Sequence, residues 1–289
     1  QRQMCIMDRW CAKLLDVKGA FLCGRFEDGE QIYMKIPQGF ERFYSENAVL
    51  LLLKTIYGLK QAALAFWREL LKAFKSMHYG RSKADPCLYF KWTALGLILW
   101  LSWVDDCLVA GKEQGVLKAK ASMMKLFDCD DVGPLKEYVG CKIDYDQEAG
   151  TMKLTQPVMI QSFKDEFELP EGKASNTPAI PGTVMDKGKL KDQVNNKTQS
   201  TYCSGISKLL HMMRWTRPEI MNAIRDLSRL GGRAFQSHIT AMYPVMKYCK
   251  GTEERGLFLN PNARSDGSPK FLFEIEGISN SDWAKDPDT

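Results

Sequence analysis

The sequence predicts an α+β chain, with an antiparallel sheet and its helices in the first part and a helical region after it. Three observations carry this. Short apolar or alternating runs bounded by Gly and Pro recur between residues 12 and 155, whereas apolar residues at 3-and-4 spacing dominate residues 202–250. Strands followed by helices is the order of an α+β fold rather than of an alternating α/β one. The run LGLILWLSWVDDCLVAG (Leu95–Gly111) holds Asp105 and Asp106 near its centre; its part Leu97–Val109 is too long for one strand, which suits a hairpin with Val104-Asp105-Asp106 at or near the turn.

The elements follow in order. Ala12–Leu22 reads as a strand carrying Asp16, and Gln31–Ile36 alternates like a half-buried strand before the Pro37-Gln38-Gly39 turn. Ala48–Ile56 is apolar and ends at Tyr57-Gly58. In Lys60–Tyr79 the spacing of Leu64, Trp67, Leu70, Leu71 and Phe74 predicts a helix that Gly80 stops. Pro86–Trp92 is a short strand, Gly115–Phe127 a helix, and Tyr138–Tyr145 with Thr151–Thr155 a hairpin across Glu148-Ala149-Gly150. Pro157–Phe167 is helical. Leu169–Thr198, rich in Pro, Gly, Lys and Asn, reads as a linker. Tyr202–Trp215, Pro218–Leu230 and Ile239–Lys250 are amphipathic helices, with Pro218 in a first turn. Arg225, Arg229 and Arg233 recur every four residues and form a basic stripe, and Phe271–Ile275 begins a further strand.

Composition excludes several classes. The chain of 289 residues carries a net charge of +5; residues 201–256 hold nine Lys/Arg and four Asp/Glu, a local excess of 9 − 4 = +5. Such a block fits a polyanionic partner or, more blandly, a solvated helix face. Nine scattered cysteines without a C-x-x-C pair, and three distant histidines, argue against zinc and against a disulfide framework, and so for reduced thiols in an intracellular protein. Leu95–Gly111 is the best membrane candidate, but two central aspartates would each cost roughly 2.5–3.5 kcal/mol, so no span is expected. The chain opens on Gln1 and closes on SDWAKDPDT, and it reads as a piece of something longer.

The acidic pair is the sharpest chemical signal. An ionised carboxylate in apolar surroundings costs several kcal/mol unless it is paired or holds a metal, and adjacent ones repel. Asp16 lies 105 − 16 = 89 residues earlier, also in an apolar strand. If that strand lies beside the hairpin, three carboxylates converge on one sheet edge. Hard oxygen ligands without His or Cys suit two Mg²⁺ or Mn²⁺ ions. Such ions, about 4 Å apart, serve in-line nucleotidyl transfer. A polar hairpin turn and a structural Asp16 are the bland alternatives.

The motifs DVKGAFL (Asp16–Leu22), IYMKIPQGFE (Ile32–Glu41), YGLKQA (Tyr57–Ala62), WVDD (Trp103–Asp106) and YVGCKI (Tyr138–Ile143) occur in order. With them the chain resembles the reverse transcriptase of copia-type LTR retrotransposon polyproteins. SGISKLLHMMRW, TRPEIMNAIRDLSRL and YCKGTEERGL resemble the connecting region of the same polyproteins, and SNSDWAKDPDT resembles the first strand of their RNase H domain.

The resemblance implies a right-hand polymerase palm lacking most of the fingers. Palm with partial fingers (about 25–60) would span 1–150, the start of the thumb 151–175, a linker 176–200, a helical connection region 201–265, and a truncated RNase H-like strand 266–289. It makes Asp16, Asp105 and Asp106 the catalytic metal ligands for two Mg²⁺ or Mn²⁺ ions. Phe21 would stack under the incoming sugar, and Trp103 and Val104 would touch primer and nucleotide. Tyr57, Gly58 and Gln61 would lie near template and nucleotide, while Tyr138, Val139 and Gly140 would grip the primer. Arg225, Arg229 and Arg233 are the expected contacts to the nucleic-acid backbone. The implied partners are an RNA template, a DNA or tRNA primer, dNTPs, and the integrase and RNase H parts of the polyprotein. The implied location is a cytoplasmic particle or the nucleus.

The sequence departs from the family pattern at several points. Trp103 stands where the family has Tyr. K-Q-[AS]-P-R-x-W becomes Lys60-Gln61-Ala62-Ala63-Leu64-Ala65-Phe66, and Asn280 replaces the first RNase H aspartate. Two readings follow: a fragment of an RNA-directed DNA polymerase, or a catalytically inactive remnant retaining at most nucleic-acid binding.

Overall fold

The computed structural model describes residues 10–146, 149–167, 169, 176–179 and 193–260. The chain begins with β1 (Trp10–Val17), the helical turn α1 (Ala20–Cys23), β2 (Tyr33–Lys35) and β3 (Val49–Leu51). It continues through α2 (Ala62–Ser76), β4 (Gly80–Arg81), β5 (Leu88–Thr93), β6 (Gly96–Trp103), β7 (Asp106–Lys112) and α3 (Glu113–Met123). Next come β8 (Cys129–Pro134), β9 (Glu137–Tyr138), β10 (Cys141–Asp146), β11 (Thr151–Thr155) and α4 (Pro157–Glu166). The last elements are α5 (Asn196–Trp215), α6 (Met221–Ser228) after a 3-10 turn at Pro218–Ile220, α7 (Gln236–Gly251) and β12 (Leu257–Leu259).

A six-stranded sheet of order β4-β5-β6-β7-β1-β8 forms the framework, and its neighbours are antiparallel. Alternation sorts its side chains. Leu15, Val17, Cys107, Val109, Ile98, Trp100 and Tyr89 point to one face, where they pack with Phe66, Leu70 and Phe74 of α2 and Val116, Ala119 and Met123 of α3. Phe74 stacks on Tyr89 with ring centroids 4.0 Å apart. Leu14, Leu101 and Leu108 point to the other face, against Tyr138, Ile143, Met152 and Leu154 of a second sheet of order β12-β11-β10-β9. The helices of the main sheet thus lie on one face and a small sheet covers the other. β2 and β3 form a separate two-stranded ribbon.

The second core joins α4, α5, α6 and α7 around Phe163, Tyr202, Leu209, Ile224 and Met246. α5 and α7 pack closely at Gly205, where a β-carbon would come within 2.6 Å of Met242 Sδ. Asn195 caps α5, its side chain accepting from the Thr198 amide at 2.9 Å.

The α+β expectation holds, and four details differ. The strand expected over Ala12–Leu22 stops at Val17, because Gly19 turns the chain at φ +57° and residues 20–23 become helical. The strand expected over Tyr138–Tyr145 is cut by a two-residue turn at Val139-Gly140, both at positive φ (49° and 74°), a type I′ hairpin. α5 starts at Asn196, inside the expected linker; most of that linker lies outside the described residues, as do Phe271–Ile275 and Asn280. α6 ends at Ser228, so Arg225 is helical, Arg229 is its C-cap and Arg233 lies beyond Gly231-Gly232. The two glycines disfavour further helix, and the three arginines share no continuous helical stripe.

Candidate nucleotidyl-transfer site

The β6–β7 hairpin closes with Trp103 opposite Asp106, which leaves Val104 and Asp105 as its two turn residues. Val104 is at φ +54°, a region that branched L-residues rarely adopt, and Asp105 is not at positive φ. On the other side of β7, Asp106 is the cross-strand partner of Asp16. The Asp105 carbonyl accepts from the Val17 amide at 3.0 Å, which ties the turn to β1. Directly opposed residues share a sheet face. Asp16, Asp106 and Trp103 therefore emerge on one face at one end of the sheet, with Asp105 at its rim.

The electrostatics of this end are unfavourable for bare carboxylates. Burial, then the charge of Asp105, pushes the Asp16 carboxyl above the usual range. Burial followed by Asp105 and Asp16 does the same to Asp106. None of the three is in an ion pair among the described residues. Lys18, two residues beyond Asp16, is held instead by Asp130 at 2.8 Å and Asp128 at 3.4 Å.

These features test the fit to a divalent ion. Among the described residues, no three or more His, Cys, Asp or Glu side chains form a cluster that could hold a metal ion. An open group of carboxylates fits Mg²⁺, which keeps several waters and binds through one or two carboxylates plus substrate phosphates. Asp16, Asp105 and Asp106 are the residues that could hold it.

The other expected residues lie at several places. Phe21, on α1, meets Tyr57 edge to face with centroids 5.2 Å apart, and Gly58 follows at φ +92°. The Gln61 amide donates to Glu30 at 3.0 Å, across the ribbon segment. Trp103 and Val104 are exposed. Tyr138 is buried with its hydroxyl unpartnered; burial, and then the charge of Asp106, pushes its phenol up. A β-carbon at Gly140 would lie 4.0 Å from His211 Cε1, so the Val139-Gly140 turn reaches α5. Arg225 pairs with its neighbour Asp226 at 3.2 Å, and the arginines sit on the helical bundle.

Three supporting residues escaped the sequence reading. Thr55 is fully buried; its hydroxyl donates to the carbonyls of Phe21 (2.6 Å) and Gly24 (3.2 Å) and so fixes α1. Asp130 faces Asp16 across β1–β8, but its acidic, Gly-interrupted segment carries no strand periodicity. Trp215 touches Trp103, with centroids 6.0 Å apart and planes at 80°. No local signal links residues so far apart in the chain.

An antiparallel sheet backed by helices, with three carboxylates at one end, is compatible with a reverse transcriptase domain. Residues 2–181 match the reverse transcriptase (RNA-dependent DNA polymerase) family, and the chain belongs to that family. It is similar to the retrovirus-related Pol polyprotein from transposon TNT 1-94 of Nicotiana tabacum, 34% identical over 82% of this chain and 18% of that protein. It is also similar to the Pol polyprotein from transposon RE1 of Arabidopsis thaliana, 28% identical over 96% of this chain and 18% of that protein. A transposon Ty5-1 protein of Saccharomyces cerevisiae is 28% identical over 81% of this chain and 74% of its own length. The chain therefore corresponds to the reverse transcriptase region of a copia-type retrotransposon polyprotein, and it spans about a fifth of the Pol polyproteins it matches. No helix among the described residues is long and apolar enough to cross a membrane.

Proposed function

We propose that the chain is the polymerising part of an RNA-directed DNA polymerase, in which Asp16, Asp105 and Asp106 hold two divalent ions. The observation that carries this is the register that sets Asp106 opposite Asp16 with Asp105 in the adjoining turn. Their mutual repulsion is relieved by a cation, and no side-chain cation pairs with them among the described residues. Bound there, Mg²⁺ would activate a primer 3′-hydroxyl and neutralise the leaving pyrophosphate. The chain's own residues would orient the reactants. Phe21, backed by Tyr57, would lie under the incoming sugar; Trp103 and Val104 would touch the primer end; and the Tyr138–Gly140 turn would hold the primer strand. The RNA template and dNTP substrates, and service within a larger polyprotein, belong to the same proposal.

The test is primer extension by the full-length parent polyprotein with Mg²⁺. Asp105→Asn is expected to lower extension by about 10³-fold or more, several kcal/mol of transition-state stabilisation, and chelation to abolish it. Extension that survives Asp105→Asn overturns the role given to the pair.

A second reading, an inactive remnant, draws on Trp103, Leu64 and Asn280. It expects no extension by the parent until Trp103→Tyr is introduced.

A further inference from the structure

We propose that Trp215, at the end of α5, is a positioning residue that holds the Asp105–Asp106 hairpin in place through Trp103; this rests on the carboxylates being the reactive end of the molecule. The hairpin needs such support. Its turn places the branched Val104 at φ +54°, a conformation that persists only when the surroundings impose it. Asp106 is the cross-strand partner of Asp16, so like charges stand directly opposite where β7 meets β1. On the β1 side one backbone bond, Val17 to Asp105 at 3.0 Å, secures the turn. On the face that carries the small sheet, Trp103, directly opposite Asp106, has its ring 6.0 Å from that of Trp215 at 80°, a favoured edge-to-face arrangement.

Trp215 is itself anchored. The next residue, Thr216, donates its hydroxyl to Gln156 Oε1 at 2.7 Å, and the Gln156 amide nitrogen lies 2.8 Å from His211 Nδ1. The His211 ring sits 6.1 Å from Trp215, one turn back along α5. Arg217, fully buried, bonds Glu219 and Thr252. The corner holding Trp215 is thus pinned to the start of α4 and the end of α7. An indole at 103 reaches this corner, so Trp103 is fitted to its surroundings by a second tryptophan on another subdomain.

Hydrogen exchange of the 289-residue chain tests this, because the Val17 amide reports the bond to the turn. Trp215→Ala is expected to speed exchange at Val17 about tenfold while Val109, mid-strand in β7, stays unchanged. Trp215→Phe should restore most of the protection, and Trp103→Ala/Trp215→Ala should exchange no faster than Trp103→Ala alone. Unchanged exchange at Val17 in Trp215→Ala, a uniform rise across the sheet, or additive effects of the two substitutions overturns the proposal. A parallel Mn²⁺ titration followed by electron paramagnetic resonance separates it from the metal reading. Failure of Asp105→Asn to weaken Mn²⁺ binding sinks that reading and leaves the exchange result to decide the tryptophan contact.

Discussion

At Asp106, two costs are carried in the absence of an ion: partial burial and the charges of Asp105 and Asp16. A carboxyl whose folded pKa is raised binds its proton more readily folded than unfolded. Its destabilising effect is complete above the folded pKa and is relieved as pH falls through it. Asp106→Asn is therefore expected to raise Tm in chelator by about 2 °C at pH 7, and the gain should vanish below pH 4, as thermal scans at the two values would show. With millimolar Mg²⁺ at pH 7 the order should reverse, because only the wild-type site gains binding energy. Val104 gives the complementary test. Glycine removes the strain of positive φ and little burial is lost, so Val104→Gly should gain about 0.5–1 kcal/mol in urea melts. A loss of stability would show that the valine contact outweighs the backbone strain.

At the scale of elements, the hairpin was legible in the sequence because an apolar run of that length with a polar centre has few other solutions. The ends of β1 and the split of β9 from β10 were not, since Gly19 and Val139-Gly140 act through backbone angles rather than hydropathy. β8 was invisible for another reason. Its Asp130 and Asp131 look solvated, yet Asp131 bonds the buried Lys120 of α3, and Asp130 holds Lys18. The three carboxylates could be named from the sequence, but their register could not, because the pairing of Asp16 with Asp106, 106 − 16 = 90 residues on, is a tertiary fact. Thr55 was likewise hidden, being an ordinary polar residue near the end of the apolar run Ala48–Ile56. Thr55→Val should cost about 1–3 kcal/mol in chemical denaturation, since the Phe21 carbonyl of α1 loses its donor, whereas the Gly24 carbonyl keeps the Thr55 amide at 3.1 Å. It should also weaken the Phe21–Tyr57 contact, visible as shifted aromatic resonances.

Among the described residues there are two large cores, one under the six-stranded sheet and one in the helical bundle, besides the smaller cluster between the two sheets, and the large cores meet at the carboxylate end through Trp103, Trp215 and the Val139-Gly140 turn. A change confined to one core should leave the other folded. Phe74→Ala, which removes the ring stacked on Tyr89, should cost the sheet core about 3–5 kcal/mol. Amide protection of α5 and α7 should persist under conditions that unfold the sheet. Simultaneous loss of both would mean that the contact at the carboxylate end makes the molecule one cooperative unit.

The return of β12 onto β11 has a consequence for engineering. Leu257 pairs with Leu154 in antiparallel register, so Thr155 and Gly256 stand opposite one another where the chain leaves the small sheet and where it comes back. A β-carbon at Gly256 would lie 2.0 Å from the Leu154 carbonyl oxygen, which shows how tightly the two strands are drawn together there. In topological terms the whole bundle is an excursion from the tip of a hairpin. Replacing residues 156–255 by Asn-Gly would join Thr155 to Gly256 with a two-residue turn suited to that register. The resulting miniature would present the acidic hairpin without its tryptophan prop.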